Sequence, residues 1–153
     1  MRGEWLVRKV LQCYWRWQRS LTLGARGMVF DETGRVLLIR HTYTPGWLFP
    51  GGGVERGETL LGALRRELKE EANVTLTGPP ELLGIFSNEL YFPGDHVAVY
   101  LVRHWSQDSL PKPNLEIAEV GFFSPDALPD GTTEATRRRL EEYTKRLEPS
   151  DMW

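Results

Sequence analysis

The chain is expected to fold as an α/β sandwich, a mixed β-sheet held between helices, with an extra amphipathic helix ahead of it. Three observations lead there. Short apolar runs flank one internal helical pattern at residues 60–71. A second helical pattern, residues 133–147, follows the last of those runs. The length of 153 residues, 41% hydrophobic and 26% charged, suits one globular domain with a real core. The expected division is a helix at 1–20, the main domain at 21–148 and a loose tail at 149–153.

Residues 1–20 read as a basic amphipathic helix. Leu6, Val10, Cys13, Tyr14, Trp17 and Leu21 recur at helical spacing. Arg2, Arg8, Lys9, Arg16 and Arg19 face a single acid, Glu4. Arg8 and Lys9 interrupt the apolar segment, which speaks against a signal peptide. The preferred reading is packing on the domain or on a partner subunit, so a homodimer stays open. Lying on a membrane surface is the alternative.

Residues 21–30 and 35–40 read as strands joined by the turn Asp31-Glu32-Thr33-Gly34. Val36 to Ile39 is an unbroken apolar run, as in a strand covered on both faces. Arg26 is out of place in such a strand. It either pairs with a buried carboxylate or grips a substrate phosphate, which its planar fork suits. Arg40, at a strand end, is a second phosphate candidate. His41 is not expected to bind metal, because no second His or Cys stands at ligand spacing.

Beyond the central helix, residues 81–89 read as a strand. Residues 90–95 form an aromatic loop that either stacks on a base or caps the core. Residues 96–104 make the strongest strand, expected to be central. A polar loop and a strand at 116–123 follow. Ser124-Pro125 carries the signature of a short helix start. In the last helix Leu140, Tyr143 and Leu147 should face inward and Arg137 to Arg139 should be solvated.

Composition narrows the function. A net charge of −2 provides no global basic field for nucleic acid. One cysteine, Cys13, rules out an internal disulfide and fits a reducing, cytoplasmic compartment. No apolar run is long enough for a membrane span.

The most informative stretch is Gly51 to Val74. Glu67, Glu70 and Glu71 stand at i, i+3 and i+4, so a helix projects them from one side. Thr59 is a candidate N-cap and Asn73 a candidate left-handed terminator. Leu61, Leu64 and Leu68 supply the packing stripe. Like charges one turn apart cost about 0.2–0.5 kcal/mol per pair. Hard divalent cations that coordinate carboxylate and phosphate oxygens reverse that penalty. A solvated helix face is the competing reading. The preceding Gly51-Gly52-Gly53 favours a site, since such a loop turns backbone N–H groups toward an anion. It is not a P-loop, because no Gly-Lys-Ser/Thr follows.

Gly52, five residues, Glu58, seven residues, and then Arg66 to Val74 resemble the Nudix box. Asn73 stands where that family has glycine. Trp47 to Gly52 also resembles the family's approach to the box. The resemblance implies the Nudix α/β/α sandwich and a metal-dependent hydrolase. Its substrate would be a small nucleotide, a nucleoside diphosphate linked to another moiety. It further implies Mg²⁺ or Mn²⁺ held by Glu67, Glu70 and Glu71 with the Gly52 backbone. One glutamate would be the general base, Glu67 first. Arg66 and Glu58 would orient the cluster by salt bridging, and Gly53 would lie near a phosphate. Glu116 or Glu119 could add a carboxylate from outside the box. The alternatives are a nucleotide-binding sensor without catalysis and a pyrophosphohydrolase of RNA 5′ ends. The lack of surplus basic charge disfavours the latter.

Overall fold

A computed structural model describes residues 2–18 and 20–153, and their side chains except those of residues 2–7, 16 and 17. The chain runs α1 (Arg2–Gln18), β1 (Thr22–Val29), β2 (Val36–His41), β3 (Trp47–Leu48), β4 (Gly51–Gly53), α2 (Leu60–Ala72), β5 (Thr75–Leu76), β6 (Glu81–Ser87), β7 (Asp95–Val102), β8 (Trp105–Ser106), β9 (Ile117–Phe123) and α3 (Glu134–Lys145).

The strands divide between a four-stranded mixed sheet, β4-β1-β7-β6, and a three-stranded antiparallel sheet, β3-β2-β9; β5 and β8 form a separate pair. β1 and β7 pair in parallel, from Thr22 opposite Asp95 to Val29 opposite Val102. As expected, β7 is an interior strand.

Strand alternation explains the apolar run in β2. Successive side chains point to opposite faces, and both faces are covered. Leu37 joins a core with Ala25, Val29, Leu64 and Leu68 under α2. Val36 and Leu38 join the other core, with Met28, Phe86, Val99 and Leu140 near α3. Leu64 and Leu68 are fully buried, each contributing about 1.5–3 kcal/mol.

The boundaries of α2 follow its sequence signals. Thr59 is extended, and its hydroxyl accepts from Gly62 N. Asn73 ends the helix at φ 55°, ψ 27°, its N–H reaching the Leu68 and Lys69 carbonyls. Its side chain also accepts from Lys69 Nζ and donates to the Ser109 carbonyl. Asn thus fulfils the role for which the resembling motif uses glycine. Asn73→Val is expected to cost about 1–2 kcal/mol, the left-handed penalty for a residue with a bulky Cβ. Urea unfolding should show a lower midpoint at unchanged slope.

Several expectations are corrected. Ser124-Pro125 opens a turn, not a helix: Ala127 N–H bonds the Ser124 carbonyl, and Pro129 follows too closely for a helix to propagate. Arg139 is buried rather than solvated, because it lies beside Leu140 and Thr136 on the inward side of α3. Its guanidinium stacks 4.0 Å from the Phe86 ring and meets Glu142 at 2.7 Å. Burial lowers its pKa. Leu147 is half exposed, since Arg146 at φ 53° has already ended the helix.

The tail runs beside β6. Ser87 N–H donates to the Asp151 carbonyl and Trp153 N–H to the Ser87 carbonyl, both at 2.8 Å. The open edge of β6 offers these backbone groups a partner. The 90–95 loop does not cap the core, as Leu90, Tyr91 and Phe92 are all exposed. The described side chains of α1, residues 8–15 and 18, are exposed too, Val10 and Tyr14 included. Leu6 and Trp17, at the same helical spacing, lie outside the described side chains. Among the described residues, no helix is long and apolar enough to cross a membrane.

Candidate active site

The glycine run forms β4 and is fixed from both sides. Its backbone pairs with β1, placing Arg26 opposite Gly51 and Ala25 opposite Gly52. From β1, Arg26 Nη1 donates to the Phe49 and Gly51 carbonyls at 2.9 Å each. The residue that interrupts an apolar strand is therefore a brace for the loop. Burial lowers its pKa, while the nearby carboxylates of Glu71 and Glu67 oppose that shift. Arg26 also lines the recess described below.

From the other side α2 lays its acidic face on the glycines. Glu71 is 4% exposed, and its Oε2 accepts the Gly51 N–H at 2.7 Å. Glu67 lies so close to Gly52 that a Cβ there would stand 2.4 Å from Oε1. Burial raises the Glu67 pKa, and Glu71 and Glu70 push it the same way; the hydrogen bond from Arg66 works against them.

Arg66 organises the outer edge. Its Nε and Nη2 fork onto Glu58 at 2.9 and 3.0 Å, Nη1 meets Glu67 at 2.6 Å, and Nη2 reaches the Gly53 carbonyl at 3.1 Å. The Glu58 and Glu67 contacts raise the Arg66 pKa, and the Arg66 hydrogen bond lowers that of Glu58. Glu58 also accepts the Glu55 N–H.

A recess of about 270 Å³ lies between β1, β4, α2 and the start of the loop after β2. Arg26, Gly52, Gly53, Glu67 and Glu71 border it. Glu70 and Arg40 do not. Glu70 is 62% exposed and lies 3.5 Å from Arg66. Arg40 alternates with His41 along β2, so it points away, pairing with Glu119 at 2.8 Å and lying over Trp47. That pairing leaves Glu119 outside the recess as well. Instead the structure brings in His41 and Glu116. His41 Nε2 lies 3.2 Å from Glu71 Oε1. Donor atoms of His41, Glu71 and Glu116 all fall within 4.8 Å of one another. Of the box glutamates, Glu67 meets Arg66 at 2.6 Å and Glu70 lies 3.5 Å from it.

The donor set suits a divalent cation. Glu67 and Glu71 repel each other in a partly desolvated pocket, and Glu116 adds a third carboxylate at its rim. A cation there removes that repulsion.

A NUDIX domain model matches residues 20–147. The chain belongs to the Nudix family. This Nudix chain is 34% identical to the 8-oxo-dGTP diphosphatase of Escherichia coli, over 69% of its own length and 86% of the relative's. It is 46% identical to the RNA pyrophosphohydrolase of Halorhodospira halophila over 85 residues, 56% of this chain and 38% of the relative. It thus spans well under half the length of that relative. Among solved structures, a MutT NUDIX hydrolase from Burkholderia pseudomallei superposes with a TM-score of 0.68 at 29% identity, covering 80% of this chain and 97% of the other. Dependence on a divalent metal is a property of Nudix hydrolases, and the cluster here fits it.

Proposed function

We propose that the chain is a metal-dependent hydrolase that cleaves the pyrophosphate linkage of a nucleoside diphosphate joined to another moiety. The supporting observation is the placement of Glu67 and Glu71 against the Gly51–Gly53 backbone in the recess. Glu67, Glu71, the Gly52 backbone and Glu70, turned from Arg66, would hold Mg²⁺ or Mn²⁺. When bound, such an ion neutralises phosphate charge and favours attack by water. Glu67 accepts a proton from the water, a role for which its raised pKa prepares it. The water oxygen forms a new bond to phosphorus, and the bridging oxygen leaves with the second phosphate. Arg66 and Glu58 keep Glu67 in place. Arg26 braces the loop and offsets charge behind Glu71, and Gly53 leaves open space for a phosphate.

Chromatographic detection of the cleavage products, nucleoside monophosphate or 5′-monophosphorylated RNA, on the full chain tests this reading. ADP-ribose, 8-oxo-dGTP and 5′-triphosphorylated RNA should be compared. EDTA is expected to remove turnover, and added Mg²⁺ or Mn²⁺ to restore it. Turnover that survives EDTA sinks the metal-dependent reading, and tight nucleotide binding without cleavage turns it into the sensor reading. RNA is included because of the similarity to an RNA pyrophosphohydrolase. The lone Cys13, exposed, is compatible with work in the cytoplasm. A homodimer would appear as a doubled mass in sedimentation.

A further inference from the structure

His41 lines the recess, and the hydrolase reading does not use it. It ends β2, is 9% exposed, and sits where the β2–β9 register slips. Arg40 pairs with Glu119 but His41 with Ile117, so Ala118 is an extra residue in β9. Bulges of this kind re-aim side chains beside functional sites. Past the bulge, Thr42 N–H bonds the Glu116 carbonyl, which places Glu116 next to the end of β2. Tyr43 braces both partners: its ring packs 5.0 Å from the His41 ring, and its hydroxyl lies 3.4 Å from Glu116 Oε1.

The imidazole is poorly served by the protein alone. Nε2 faces the Glu71 carboxylate at 3.2 Å, and Nδ1 is buried without a partner. A proton on Nδ1 is an orphan donor and leaves the Nε2 lone pair against a carboxylate. A proton on Nε2 leaves Nδ1 an orphan acceptor. A cation between Nε2, Glu71 and Glu116 resolves the lone-pair conflict.

We infer that His41 Nε2, Glu71 and Glu116 form an ion position with one nitrogen ligand, so the chain favours imidazole-binding divalent ions over Mg²⁺. Mg²⁺ takes oxygen ligands and gains little from imidazole. Mn²⁺ and the later first-row ions accept the mixed set, with affinity rising along that series. The inference shares Glu71 with the hydrolase reading and rests on its view of the recess as a metal centre.

The test is binding of Mn²⁺ alone to the full chain, read by pulsed electron paramagnetic resonance. Wild-type protein should show nitrogen modulation from a directly bound imidazole, and His41→Gln should lose it. Mn²⁺ affinity should fall at least about tenfold in H41Q, the scale seen when metal-site partners are removed, while Mg²⁺ affinity changes less. Absence of nitrogen modulation in wild type, its persistence in H41Q, or equal loss for both ions overturns the inference. If H41Q does not fold, wild-type protein carrying ¹⁵N-histidine decides the point: a changed modulation pattern supports a histidine ligand, an unchanged one overturns it. Glu116→Gln should likewise weaken Mn²⁺. These readouts need no turnover, so a nitrogen signal without substrate cleavage sinks the hydrolase reading alone. Cleavage without the signal sinks this one alone.

Discussion

Glu71→Gln should remove hydrolysis while leaving the fold intact. Glutamine keeps a carbonyl oxygen for the Gly51 N–H, so the contact between β4 and α2 survives. What disappears is the negative charge at the bottom of the recess, beside Arg26 and His41. A lost charge at such a point should lower kcat/KM by at least about 10²–10⁴, the range contributed by one positioned acid–base group. Near wild-type turnover in a folded E71Q would be decisive against the proposed chemistry. Glu70→Gln is the informative companion, since Glu70 stands on the solvent side of Arg66. A loss equal to that of E71Q means that Glu70 swings from Arg66 to the ion; a small loss means that it stays outside.

Gly51→Ala should be among the most destabilising single substitutions. Gly51 sits at φ +141°, and a Cβ there would lie 2.1 Å from the Ala25 carbonyl oxygen and 2.8 Å from Arg26 Cα. These are backbone atoms of an interior strand and cannot swing aside. A forbidden conformation costs about 1–3 kcal/mol, and overpacking a similar amount again. Against a typical domain stability of about 5–15 kcal/mol, the denaturation midpoint should fall sharply. Gly52→Ala provides the contrast. Its added methyl meets the mobile end of Glu67, so stability should fall less while activity is lost with Glu67 displaced. Equal unfolding of both variants would contradict this division.

How far the site could be read from the sequence depended on whether its parts are local. α2 was legible to its ends, because Thr59, Asn73 and the leucine stripe act within a few residues of themselves. The covering of β2 was legible for the same reason. Glu58, Arg66 and Glu67 fall together because one helix and its entry loop carry them. The placement of His41 was not legible: its partner Glu116 comes from the far end of the domain, across a bulge that no local pattern announces. Arg40 was misjudged because residue type alone does not say which side of a strand a residue takes. Arg139 was not legible, because charge is a poor guide when an aromatic ring lies nearby.

The parallel pairing of β1 with β7 has a kinetic side. Thr22 and Asp95 are 73 residues apart, and β1 is the strand that carries Arg26 and supports β4. On the ribosome, β1 must wait for β7 to be synthesised before its second neighbour exists. Closing such a distant pair is entropically slow. Recovery of enzymatic competence after dilution from denaturant should therefore trail the formation of α2, whose contacts with its own caps are local.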